Sequence, residues 1–143
     1  MNLRPMTQED LPEVQRIQSR ITRQEVPQSW MDMLAAHVNK TYRLGFVAEE
    51  GGTVLGFLLG EIKIGGFGTE LSGWLELLGV EPKQMGSGVG AALVETLFKA
   101  LRGRGVREIY TAVRWDSGDM LAFFQKIGFD KSPFINLKFE QPL

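Results

Sequence analysis

The chain has 143 residues, 43% of them hydrophobic and 23% charged, the profile of one globular domain spanning residues 1–143 and not of a disordered chain. Sixteen basic and seventeen acidic side chains give a net charge of −1, which offers no electrostatic case for binding nucleic acid or an anionic membrane surface. With no cysteine and one histidine, His37, disulfides, thiolate nucleophiles and Cys/His zinc sites are excluded and no metal is expected.

Met1 to Arg4 lead into a polar stretch and not into an apolar signal core. The longest apolar run, Val54 to Gly60, is far short of the ~18 residues of a membrane span, so the default expectation is the cytoplasm. A short strand at the start gives way to a helix for which Thr7 and Asp10 have the capping-box spacing. Leu11, Val14, Ile17 and Ile21 line one face of that helix. A second helix is expected to begin near Pro27 and Ser29 and to carry Trp30, Met33, Leu34 and His37. A strand from about Arg43 to Glu49 meets Gly51-Gly52, and a longer strand runs from Thr53 to Ile64, which predicts an antiparallel hairpin. Gly65 to Gly68 is a loose connection, and Leu71 to Val80 is the next strand.

The character of the chain then changes. A helix opens within Met85-Gly86-Ser87-Gly88-Val89-Gly90 and presents Val89, Leu93, Leu97 and Leu101 at four-residue steps, until Gly103 and Gly105 stop it. A strand from Val106 to Trp115 and a helix from about Ser117 to Ile127 follow. A final pair of strands is expected at Phe129 to Pro133 and Phe134 to Glu140. The order predicts a mixed α/β domain of the α+β type, with an antiparallel meander before its strand-helix-strand-helix half.

Gly86, Gly88 and Gly90 stand where a strand becomes a helix. Backbone N–H groups in such a turn converge on one point, the helix dipole adds positive charge, and glycine lets an anion approach the backbone. The competing reading is a tight loop that needs glycine only for its conformation. A Walker A loop fails because Gly90 is followed by Ala91-Ala92 and not by Lys-Ser/Thr. A dinucleotide fingerprint is formally matched by Gly86, Gly88 and Ala91, but an antiparallel meander precedes it.

Val80-Glu81-Pro82-Lys83-Gln84-Met85-Gly86-Ser87-Gly88-Val89-Gly90 resembles the acyl-CoA-binding motif of the GNAT N-acetyltransferase superfamily, in which a strand ends Val-x-Pro and Arg/Gln-x-x-Gly-x-Gly/Ala opens the helix. Ala122-Phe123-Phe124-Gln125-Lys126-Ile127-Gly128-Phe129 is similar to that family's late helix, and Leu3-Arg4-Pro5 with Thr7 to Leu11 to its opening. The resemblance implies a twisted, mostly antiparallel sheet with a central V-shaped splay, flanked by about four helices. It implies acetyl-CoA as cosubstrate and an amine as acceptor, with no nucleic acid and no membrane, and it leaves a homodimer open. Backbone groups of Leu78, Gly79 and Val80 would pair with the pantetheine arm, and the turn of Met85, Gly86, Ser87, Gly88, Val89 and Gly90 would hold the pyrophosphate. Ser117 stands where the family usually has a cofactor-touching Asn. Phe124 stands where it usually has a Tyr that protonates the leaving thiolate, and a phenyl ring cannot donate a proton.

An amine attacking a thioester must lose a proton. Glu76 interrupts the apolar run Trp74-Leu75-Glu76-Leu77-Leu78, and its neighbours are expected to raise its pKa, which suits a base. Period-two alternation puts it on the face of Trp74 and Leu78 unless a bulge intervenes. Glu70 and Glu81 are weaker candidates, and Tyr110 is expected in the core. The expected activity is transfer of acetyl from acetyl-CoA to a primary amine by direct attack in a ternary complex. The alternative is an acyl-CoA-binding module without catalysis, for which Phe124 is the signal.

Overall fold

The computed structural model describes residues 1–38, 40–65 and 70–143. Asn2–Pro5 form β1, which pairs antiparallel with β2 (Arg43–Glu50), Leu3 opposite Ala48. Between them a single 3-10 turn at Gln8–Asp10 leads into α1 (Leu11–Thr22). The Thr7–Asp10 spacing is used: the Thr7 backbone N–H donates to Asp10 Oδ2 at 2.8 Å and its hydroxyl at 3.2 Å. Arg4 grips the same carboxylate with two bonds of 2.7 and 2.8 Å and reaches Glu49 Oε1 at 3.0 Å. The Arg4 guanidinium holds the Asp10 carboxyl below the usual carboxylate range. One charge network thus ties β1, β2 and the start of α1.

Periodicity decides what each element buries. Val14 and Ile17 of α1 and Leu34 of α2 (Gln28–Ala35) pack with Met6, Val47, Phe57 and Leu59 on one face of the sheet. Gly51 and Gly52, at φ +58° and +81°, make the two-residue turn that joins β2 to β3 (Thr53–Ile64), with Glu50 opposite Thr53. β3 pairs antiparallel with β4 (Leu71–Val80).

The other face receives α3 (Val89–Gly103). Its stripe of Val89, Leu93, Leu97 and Leu101 lies along Gly56, Gly60 and Gly73 of the sheet. A Cβ built on these glycines would stand 3.0 Å from Val89, 2.8 Å from Leu97 and 2.7 Å from Leu101. Part of the glycine excess therefore forms a trough that lets α3 approach the sheet closely.

β5 (Ile109–Thr111) joins β4 in parallel, and α4 (Gly118–Ile127) follows. Among the described residues the sheet has five strands in the order β1-β2-β3-β4-β5, antiparallel except for the last pair, and four helices flank it. This is the expected mixed, mostly antiparallel architecture. Three expectations need correction. The strand expected from Val106 to Trp115 pairs only over Ile109–Thr111, and Tyr110 is half-buried on the sheet face and not in the core. The strands expected at Phe129 to Pro133 and Phe134 to Glu140 do not form. A strand pattern needs a neighbouring ladder, and the short β5 offers only three residues of edge. Of the connection expected at Gly65 to Gly68, all but Gly65 lies outside the described residues. Among the described residues no helix is long and apolar enough to cross a membrane.

Candidate active site

β4 and β5 pair through Gly73–Ile109, Trp74–Tyr110 and Leu75–Thr111. The Thr111 hydroxyl donates to the Leu75 carbonyl oxygen at 3.0 Å, the last tie before the two strands part. β4 runs on to Val80 with Leu78, Gly79 and Val80 held by β3 alone, opposite Leu58, Phe57 and Gly56. Their other edge faces the opening, which is the expected V.

The opening leads to the glycine turn. A 3-10 turn at Pro82–Gln84 follows β4, and the N–H groups of Met85 and Ser87 turn back to the carbonyl oxygens of Pro82 and Gln84 at 3.4 and 3.2 Å. Gly86 and Gly88 have φ of +84° and +92°, where a side chain is strained, and a Cβ on either would meet nothing within 4 Å. The space before the turn is therefore open to a ligand. The first intrahelical bond runs from Ala92 N–H to the Gly88 oxygen at 3.0 Å, so the N–H groups of Val89, Gly90 and Ala91 precede the helix ladder and sit at its positive end. These donors and this room fit a pyrophosphate. Gly90 has a separate reason to be glycine, since its Cβ would stand 3.2 Å from the Phe123 ring.

Glu76 lies at the apex of the V because the β3–β4 ladder slips there. Leu59 faces Leu77 and Gly60 faces Leu75, which leaves Glu76 as the extra residue of a bulge. The bulge intervenes in the simple alternation: Leu75 and Leu78, three residues apart, both pack on the α3 face and Leu77 packs on the α1–α2 face, so Trp74 and Leu78 do not share one face as period two would have it. Glu76 meets Lys63, whose Nζ is 3.8 Å from Glu76 Oε1 and 4.3 Å from the centre of the Trp74 ring. Trp74 stacks on Tyr110 with ring centres 5.2 Å apart. Burial pushes the Glu76 carboxyl above the usual carboxylate range. The Lys63 charge pulls it back, a hydrogen bond shared with Glu61 and that group's negative charge push it up again, and His37 opposes it weakly. Glu61 and Lys63 also line a cavity of about 600 Å³ with Ala36, Lys40, Tyr42 and Arg43, beside the connection from α2 to β2.

The structure thus brings together Glu76, the edge of Leu78 to Val80 and the turn from Met85 to Gly90. Ser117 precedes α4, half-buried, with its N–H on the Arg114 oxygen at 3.0 Å. Phe124 is only 5% exposed and packs edge-on against Phe123 and Phe129 in the core. Phe123 is the ring that lies against the glycine turn. Glu81 is buried and engaged by Arg20 at 2.8 Å and Glu70 is exposed, so of the three carboxylates expected as candidates Glu76 is the one beside the point where β4 and β5 part. His37 is buried with its Nδ1 donating to the Met33 oxygen at 2.9 Å. Sequence reading missed Glu61, Lys63 and Trp74 as site residues. The available signal was Glu61 and Lys63 at alternate positions on one face of an otherwise apolar strand.

The chain belongs to the Acetyltransferase (GNAT) family, whose sequence profile matches residues 11–129. It is 38% identical over 89 residues to a mycothiol acetyltransferase of Amycolatopsis mediterranei (strain U-32), covering 60% of this chain and 30% of that protein. It is 28% identical over 120 residues to the mycothiol acetyltransferase of Kocuria rhizophila, covering 84% of this chain and 38% of that one. The chain therefore spans about a third of the length of these curated relatives. Among solved structures, an aminoglycoside antibiotic 6'-N-acetyltransferase from Acinetobacter haemolyticus superposes with a TM-score of 0.84 at 18% identity, over 100% of this chain and 99% of that one. The aminoglycoside acetyltransferase AAC(6')-Iy, bound to a CoA-containing bisubstrate analogue, superposes with a TM-score of 0.84 at 16% identity, over 99% and 98% of the two chains. At these identities the structural likeness speaks for the fold.

Proposed function

We propose that the chain is an acetyl-CoA-dependent N-acetyltransferase that passes the acetyl group directly to a primary amine of a small molecule in a ternary complex. The observation that carries this reading is the alignment along β4 of a donor turn, an open strand edge and a carboxylate. Acetyl-CoA, when bound, supplies an acetyl group activated as a thioester. The N–H groups of Gly86, Gly88, Val89, Gly90 and Ala91 hold the pyrophosphate. The edge of Leu78 to Val80 pairs with the pantetheine amides, and from Val80 to Glu76 that edge extends roughly 13 Å at the rise of a strand. At its end the bulge frees the Glu76 backbone N–H for the thioester oxygen. The Glu76 carboxylate takes the proton of the acceptor ammonium, and its upward-shifted pKa makes it a better base than an ordinary carboxylate. The 600 Å³ cavity beside Glu61 and Lys63 has the size of a small-molecule site and receives the acceptor. The relatives named for mycothiol support acetyl transfer to a small molecule.

The burial of Phe124 removes the signal for an inactive module, because a core ring is phenylalanine for packing reasons. The test is incubation with acetyl-CoA and a panel of primary amines while free thiol is followed. Saturable, amine-dependent thiol release is expected. Binding of acetyl-CoA with thioester loss that no amine accelerates would overturn the reading in favour of a binding module.

The partner of the open half of the sheet is, in the same proposal, a second copy of the chain. Ile135, Leu137 and Phe139 are 82%, 83% and 85% exposed at alternate positions, the pattern of a strand with a bare apolar face. Among the described residues β5 is the last strand of the sheet, and it borders a cleft of about 1320 Å³ that Ile135 and Leu137 also line. Reciprocal addition of residues 135–140 to the partner's β5 covers that apolar face and closes by two-fold symmetry, with Phe134 staying on the Tyr110 ring of its own chain.

A further inference from the structure

Lys63 sits where a substrate amine belongs. Its ammonium lies 3.8 Å from Glu76 Oε1 and 4.3 Å from the centre of the Trp74 ring, and Trp74 stands opposite Glu61 in the β3–β4 register. A carboxylate pair beside an aromatic face is the chemistry that selects a primary ammonium. Lys63 lines the acceptor cavity, and its side chain is 45% exposed on a flexible four-carbon stem. An amine held beside the proton acceptor of an acetyl transfer is itself positioned to be acetylated. We propose that Lys63 is an internal acetyl acceptor, modified by the chain's own active site when no outside amine fills the cavity.

The step balances without a further reactant. Glu76 takes a proton from the Lys63 ammonium, and the freed Nζ attacks the thioester carbonyl carbon. The new C–N bond forms and the C–S bond breaks. The sulfur leaves as thiolate and takes the proton held by Glu76, while the second proton of the new amide nitrogen goes to water. The products are acetyl-lysine, free thiol and one proton. Acetylation removes the cation and fills the space beside Glu61 and Glu76, so it slows transfer to outside amines. The chain then registers a surplus of acetyl-CoA over acceptor.

The inference rests on the acetyltransferase reading with Glu76 as base, and the experiment separates the two. The wild-type chain is incubated with acetyl-CoA and no amine at several protein concentrations, and acetylated lysines are mapped by mass spectrometry. Lys63 is expected to be modified ahead of the exposed Lys83, Lys99, Lys126 and Lys131, with a rate constant independent of protein concentration because the reaction is intramolecular. The rate should fall roughly 10²-fold or more in Glu76→Gln. In Lys63→Arg, amine-independent thiol release should stop. Lys63 modified no faster than the exposed lysines, or equally fast in Glu76→Gln, would overturn the proposal. If outside amines are acetylated and Lys63 is not, the inference fails and the enzyme stands. If neither is acetylated, both fail.

Discussion

The two halves of the sheet differ in how completely they are built. From β1 to β4 each strand pairs over four or more residues, and both faces are covered, one by α1 and α2 and the other by α3. From β5 onward the ladder is three residues long, and the last segment leaves its alternate apolar side chains in solvent. The residues proposed for the chemistry are distributed the same way. Glu61, Lys63, Trp74 and Glu76 stand on β3 and β4, and the donor turn follows β4 directly. In the proposed reading the closed half fixes the reacting groups, and the open half supplies a wall and a surface for a second copy. A rigid scaffold for the groups that must be placed within fractions of an ångström is what catalysis demands.

The sharpest way to break this division is Glu76→Gln, which keeps the shape of the bulge residue and removes the base. Turnover with a saturating amine should fall by roughly 10²–10⁴ while acetyl-CoA affinity stays within about twofold. The sign of the pH dependence follows from the direction of the shift. The base works only when deprotonated, its pKa lies above the usual carboxylate range, and the charges that act on it are those of Lys63, Glu61 and, most weakly, His37. The acidic limb of the rate profile is therefore displaced upward in the wild type and should flatten in the variant. An unchanged limb with near-normal turnover would move the proton transfer to another group.

Gly88→Glu attacks the other fixed element. The substitution strains a φ of +92° and places a carboxylate in the open space before the turn. Acetyl-CoA binding by calorimetry should weaken by roughly a hundredfold, about 2.7 kcal/mol, with the fold retained. Undiminished affinity in a folded variant would remove the pyrophosphate from this turn.

The difference between the halves also marks how far the sequence could be read. Where periodicity and turn chemistry agreed, as in Val14 and Ile17 on α1 or Gly51-Gly52 between β2 and β3, local pattern determined the element. The glycine turn was legible because φ above zero and a helix start leave a composition signature. The bulge at Glu76 was not, since it depends on the slip between Leu59 and Gly60 of another strand. For the same reason Lys63 and Glu61 could not be joined to Glu76 by spacing alone. The pattern from Phe134 to Glu140 is that of a strand, but pairing is a property of two segments, and the pattern names only one of them. Phe124 was placed by motif position, whereas the rotation of α4 against Phe98 and Phe129 decides where the ring goes.

If the open half is an association surface, Leu137→Ala should act there and nowhere else. Each tail loses ~1.5–3 kcal/mol of apolar burial, so the dimer Kd should rise by at least about tenfold. Analytical ultracentrifugation across a concentration series measures it. Turnover per chain should stay unchanged when Glu76 and its neighbours are complete within one copy. A wild-type chain that sediments as a monomer at every concentration would leave the bare face without a second copy.

The smallest effect sharpens the boundary inside α4. The Phe124 ring is 5.2 Å from Phe123 and 5.3 Å from Phe129, centre to centre, and almost fully buried. A hydroxyl added there by Phe124→Tyr meets aromatic carbon, and burying it without a partner costs about 1–3 kcal/mol. For a chain of this size that lowers Tm by roughly 2–4 °C per kcal/mol, measurable by thermal denaturation. Turnover should not rise, because the ring is almost fully buried between Phe123 and Phe129. A Phe124→Tyr chain that is as stable as the wild type and turns over faster would mean that α4 presents this side to the thioester, and that the wall of the V is built differently from the arrangement of Phe123 and Phe124 described above.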